Sequence, residues 1–171
     1  MSMASRKEIF KKQYEGLDER EAELFVGKNS RYYLDNWRSY RDGSKTWGIN
    51  WPAFIFSIFW LGYRKMYSTI FYIMGFFVLV DVIQFFINID ISRNVGIAIG
   101  ACVGGTGNTM YYKYMNKKID KIKEENNDSL KIETEIVRAG NASWGGVGIS
   151  LLMLLGYVIV SMIIEGILTS F

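Results

Sequence analysis

The apolar positions of this chain fall into two regimes. Up to about residue 46 they recur at helical spacing among charged residues, and beyond that they run together in blocks long enough to consider as bilayer spans. Residues 69–89 (TIFYIMGFFVLVDVIQFFINI) carry a single charge, residues 95–112 (VGIAIGACVGGTGNTMYY) carry none, and residues 147–168 (VGISLLMLLGYVIVSMIIEGIL) carry one near the end. At ~1.5 Å per residue such helices reach about 27 to 33 Å, comparable to the ~30 Å hydrocarbon core. The pattern predicts membrane helices over 66–90, 95–112 and 147–168. Buried helices of a soluble bundle would need a polar stripe, and none of the three blocks has one.

A fourth apolar stretch, inside SKTWGINWPAFIFSIFWLGYRKMY (44–67), is shorter. Residues 51–63 would extend only ~20 Å as a helix, and Pro52 suits a first turn. Charge decides how to read it. If this stretch does not cross, nineteen of the twenty Lys and Arg share one face, with Arg93 alone opposite; if it does, the split is nearly even. The positive-inside tendency favours the first arrangement. Segment 47–65 is therefore expected as a re-entrant or interfacial helix with both flanks cytoplasmic. Trp47, Trp51, Trp60 and Tyr63 would sit at headgroup level, and Arg64 and Lys65 would snorkel to anionic lipid phosphates. An aromatic packing helix between head and bundle is a compatible alternative.

In the head (1–46), Asp18 with Glu21 three residues later forms a capping-box-like start for a helix to about Val26, broken by Gly27. A second helix from Asn29 or Ser30 to Arg41 ends at Gly43 and aligns Tyr33, Trp37 and Tyr40 on one face, either as core or as a partner-binding stripe. Residues 1–16 are polar and expected to be mobile. After the second span, KYMNKKIDKIKEEN predicts a basic amphipathic helix with Met115, Ile119 and Ile122 on one face and Lys113, Lys117, Lys118, Lys121 and Lys123 on the others. It reads as a solvated stalk, or as a helix lying on anionic lipid through Lys117 and Lys118. Asp120, Glu124 and Glu125 dilute its charge, which argues against nucleic acid. Residues 126–146 read as a polar linker, completing a cytoplasmic segment 113–146.

Composition narrows the chemistry. There is no histidine and one cysteine, Cys102, so zinc-protease motifs, Ser-His-Asp arrangements, multi-cysteine metal sites and an internal disulfide are excluded. No catalytic, cofactor or metal residues are assigned. The first fifty residues hold ten Lys or Arg and eight Asp or Glu with no apolar core, so no cleavable signal peptide is expected. Gly96, Gly100 and Gly104 line one face of the second span and allow close helix packing, within the bundle or between two copies. Intramembrane polar groups invite a functional reading. Asp81, Gln84 and Asn88 share a face of the first span, Ser161 and Glu165 share a face of the third, and Arg93 lies in the short loop; all would fall in the outer half of the bundle. They could form a small ion or proton site or a docking point, or act as interhelical polar glue.

The strings KNSRYYLDNW, INWPAFIFSIFWLGYRKMY, GNTMYYKYMNKKI and AGNASWGG, in that order over residues 24–165, resemble the small bacterial membrane proteins grouped as domain of unknown function 2628. Pro52 and Ser57 stand where that pattern leads one to expect small and glycine-type residues. The resemblance implies a membrane location and no activity. Together these readings predict an all-α membrane protein of the bacterial cytoplasmic membrane, with three transmembrane helices, a re-entrant or interfacial helix and a small helical head, the N-terminus cytoplasmic and the C-terminus outside. The expected role is non-enzymatic, by binding anionic lipid or a protein partner, or as a homo-oligomer, in an accessory, envelope or immunity-like capacity. The alternative is an oligomeric transporter or channel subunit using the outer polar cluster.

Overall fold

A computed structural model describes residues 3–170, and all the regular elements among them are helices. In order they are α1 (Met3–Tyr14), α2 (Glu19–Val26), α3 (Ser30–Arg41), α4 (Trp51–Phe56), α5 (Ile58–Tyr63), α6 (Tyr67–Ile87), α7 (Ser92–Glu125), α8 (Ser129–Ala139) and α9 (Trp144–Leu168), with a 3₁₀ turn (Gly27–Asn29) before α3. The chain divides into two compact units. One joins the residues up to Asn50 to Gly105–Ala142; the other joins Trp51–Gly104 to the residues from Ser143 onward.

The first unit, the head, is built on local signals that act as the sequence suggests. The Asp18 side chain accepts a hydrogen bond from the Glu21 amide at 3.1 Å and starts α2. Gly27 (φ +68°) and Gly43 (φ +71°) take the left-handed backbone that ends α2 and follows α3. The stripe Tyr33, Trp37, Tyr40 is core, buried with Phe25, Leu34, Met115 and Ile119. Rings close it: Tyr14 lies 4.4 Å from Tyr112, Trp37 lies 5.3 Å from Tyr112 and Tyr33 lies 5.0 Å from Tyr111. Polar groups inside the core are paired. The Trp37 indole donates to the Asn108 carbonyl at 3.0 Å, Asn50 donates to the Asn108 side chain at 2.9 Å, and Tyr14 donates to Thr109 at 2.9 Å.

Several boundaries differ from expectation, and each has a packing cause. The N-terminal residues form α1 rather than a mobile tail, held by the fully buried Tyr14. The expected linker contains α8, whose Ile136 is buried and which packs on α2; the Asn141 amide then donates to the Phe25 carbonyl at 2.7 Å. Residues 105–112, expected as the end of a span, lie in the head core, because Asn108, Tyr111 and Tyr112 find aromatic and polar partners there.

In the second unit, two helices are long and apolar enough to cross a membrane: α6, with 17% of its most apolar window buried, and α9, with 6%. They run side by side in the same direction, since Phe77 meets Tyr157 and Asp81 meets Tyr157 and Ser161 further along both. α5 packs on both. The contact with α9 is closest at Gly62 and Gly146, where a Cβ on Gly62 would lie 2.6 Å from the Gly146 carbonyl oxygen. Ser143, the N-cap of α9, also donates its amide to the Tyr63 carbonyl at 3.0 Å. The aromatic segment is two short helices, broken at Ser57, which takes φ +39°. That is one of the positions where a glycine-type residue is expected, and the positive φ is the physical reason. Pro52 falls in the first turn of α4. Of the glycine stripe, Gly104 meets Phe54, Gly100 faces the Phe54 carbonyl at 3.6 Å, and Gly96 faces open space.

Candidate functional site

The polar positions of the apolar unit converge. Asp81 on α6 accepts hydrogen bonds from the Tyr157 hydroxyl at 2.8 Å and the Ser161 hydroxyl at 2.5 Å, both on Oδ2. Helical spacing explains the pair, because residues 157 and 161 are one turn apart on the face of α9 that meets α6. Beside them opens a cleft of about 490 Å³ whose lining includes Asp81, Asn88, Asp90, Ser161 and Glu165. No lysine or arginine lines it, so its charged side chains are all carboxylates.

Gln84 has a different task from the one its spacing suggests. Its Oε1 accepts from the Ile91 amide at 2.5 Å and the Ser92 amide at 2.9 Å, and its Nε2 donates to Ser92 Oγ at 2.8 Å. It therefore ties the end of α6 to the start of α7 across the turn in which Asn88 takes φ +54°. Gln84 borders the cleft, but its amide is committed to the hairpin. Arg93 is exposed and is not part of the cleft lining. Tyr157 was missed in the sequence, where it reads as one more large residue of an apolar block. Its position four before Ser161 and eight before Glu165 is the available signal.

The arrangement offers carboxyl and amide oxygens as hydrogen-bond acceptors. Among the described residues no group of three or more His, Cys, Asp or Glu is placed to hold a metal ion. The carboxylates instead line a cleft large enough for an organic group.

The interfacial residues divide. Trp47 and Trp51 are exposed, and Tyr63, half-buried, stacks edge-on with Trp144 at 5.4 Å. Trp60 and Arg64 are buried, only 5% and 4% exposed. The Arg64 guanidinium lies 5.6 Å from the Tyr63 ring. Lys65 is half-buried. Lys117 and Lys118 are exposed on α7, with Lys118 at 5.8 Å from the Tyr114 ring.

Elsewhere in the head, charge is organised in pairs. Arg38 donates to both carboxylate oxygens of Glu19, at 3.0 and 2.6 Å, and that contact holds the Glu19 carboxyl below its usual range. Arg20 meets Glu133 at 2.6 Å, and Lys123 pairs with Glu21. These are exposed pairs that trim the surface more than they stabilise it.

The profile of the family described as "Protein of unknown function (DUF2628)" matches residues 18–117. The chain belongs to this family. No curated protein and no solved structure matches it. The DUF2628 match begins at 18 rather than 24 and ends at 117 rather than 165, the span over which the resemblance is expected; it takes in α2 through α6 and most of α7, and ends before α8. Asp81, Gln84 and Asn88 thus lie in the family portion, while Tyr157, Ser161 and Glu165 lie beyond it.

Proposed function

We propose that this DUF2628 protein is a non-enzymatic integral membrane protein that works by binding a partner at the cleft between α6 and α9. α6 and α9 cross the bilayer, α4 and α5 form a re-entrant pair, and α7 carries the chain back. The observation that carries the membrane part is the outward face of the two long helices: Phe71, Tyr72 and Leu152 are 68%, 74% and 67% exposed, an arrangement that contact with lipid favours. The chain path supports the rest. The residues before Trp51 and those between Gly105 and Ala142 make one unit, so α6 going out requires a return through α7. Ser143, the N-cap of α9, bonds the end of α5 at Tyr63, so α9 sets out from the level at which α5 ends, the side here proposed as cytoplasmic. With nineteen of the twenty Lys and Arg on that side, the head is cytoplasmic and the C-terminus outside.

The cleft, with Asp81 anchored by two hydroxyls and Glu165 nearby, is where the partner, a protein or a lipid, docks. Purifying the protein from native membranes in mild detergent tests this. A co-purifying species should be retained by the wild type and lost from Asp81→Asn and Glu165→Gln variants of normal yield. Equal recovery from all three would refute the assignment. A second reading, an oligomeric transporter or channel subunit, draws on the same Asp81 carboxylate within an otherwise apolar helix. Liposome flux that falls in those two variants would favour it over partner binding.

A further inference from the structure

We infer that the lipid partner of this protein is a locally thinned bilayer, with short acyl chains favoured along the face formed by α4, α5 and the first third of α7. This rests on the membrane-spanning reading above and adds a shape to it. α6 has 21 residues and α9 has 25, which gives apolar lengths of ~31 and ~37 Å. The return path is much shorter. Gln84 ties the start of α7 to the end of α6, so both helices begin from the same level at the hairpin. From Ser92, only residues 92–104 belong to the apolar unit; from Gly105 the helix is head, with Asn108 bonded to Trp37 and Asn50. Those thirteen residues cover ~20 Å. α4 and α5, six residues each and broken at Ser57, reach only ~9 Å apiece, too short for either to cross.

These two short elements lie together, with Phe54 of α4 against Gly100 and Gly104 of α7. Their outer side chains are apolar and open: Ile55, Phe56 and Phe59 on α4 and α5, Ile97 on α7. The unit is therefore lopsided, with a hydrocarbon-matched side at α6 and α9 and a side about a third shorter. Lipid meeting a short apolar face thins, tilts or is replaced by shorter chains. A helix tilt would not cure the difference, because tilting shortens a long span and cannot lengthen a short one.

The full chain reconstituted in phosphatidylcholine vesicles with monounsaturated chains of about 14 to about 22 carbons tests the inference. The thermal midpoint should peak below about 18 carbons, between the thickness that suits α6 and α9 and the one that suits the short face, and fall as chains lengthen. A peak at about 18 carbons or beyond, or a flat profile, would overturn it. Local preference is read separately in mixed vesicles with quencher-bearing short-chain lipid. A fluorophore on the exposed Cys102 should report at least about two-fold enrichment of short chains over one on Leu152→Cys in a Cys102→Ala background. Equal quenching at the two positions overturns the inference. Oxidative cross-linking of Cys102 between copies in every lipid would overturn it too, since a second chain would then cover the short face. Release of the protein by alkaline carbonate is a distinct result, because it removes the membrane reading itself.

Discussion

The head and the apolar unit use the same element, the helix, in opposite senses. In the head, rings point inward and charged pairs lie outside: Tyr14, Trp37, Tyr40, Tyr111 and Tyr112 are all but inaccessible while Arg38 and Glu19 face solvent. In the apolar unit the large side chains of α6 and α9 face out, and the polar contacts of Asp81, Tyr157 and Ser161 sit between helices. Burial of apolar area holds the first together in water. In the proposed bilayer the second would have no such drive, and its contacts include close backbone approach at Gly62 and Gly146 and a few hydrogen bonds. The difference teaches that one chain can place its large apolar side chains inward in one unit and outward in another, as the proposed change of solvent from water to lipid would require.

That contrast can be broken most directly at Trp37. Trp37→Ala removes a fully buried ring and the donor to Asn108, and should destabilise the head by about 3–5 kcal/mol in chemical denaturation while the helicity of α6 and α9 persists. Simultaneous loss of both would show a single cooperative unit. The head also has an alkaline limit. Burial raises the hydroxyl pKa of Tyr14, Tyr40 and Tyr112 above the ordinary 10.0. Their contribution is therefore complete below pH 10 and is lost as pH rises beyond it. Near-ultraviolet circular dichroism should follow the head through that transition.

Gly62→Ala probes the other unit. Its methyl would press on the Gly146 carbonyl and Ser150, so α5 must part from α9, at about 1–3 kcal/mol in a detergent melt. Ser57→Gly should act in the opposite direction, stabilising by about 1 kcal/mol because glycine adopts the positive φ without strain. A lower midpoint for Ser57→Gly would mean that the serine side chain supports the break. Smallest of all, Leu152→Ala on the exposed face of α9 should stay within about 0.5 kcal/mol, a control that sets Trp37→Ala apart from simple loss of apolar volume.

Much of this is legible in the residues themselves. The Asp18 cap, the breaks at Gly27 and Gly43, the core stripe Tyr33–Trp37–Tyr40 and the apolar blocks of α6 and α9 are written in local pattern, because capping, left-handed backbone and helical periodicity each act within a few residues. The cleft is partly legible, since Asp81, Asn88, Ser161 and Glu165 share faces by spacing alone. What tertiary structure decides is the partner of each face. Asp81 meets Tyr157 across 76 residues, Trp37 reaches Asn108 across 71, and Trp60 and Arg64 are buried. Residues 105–112 carry the composition of a span, yet belong to the head because its rings and amides offer them better partners than hydrocarbon does. Local pattern specifies a helix and its apolar side. Whether that side meets lipid, water or another helix depends on which distant segment packs there, and no short window of sequence contains that choice.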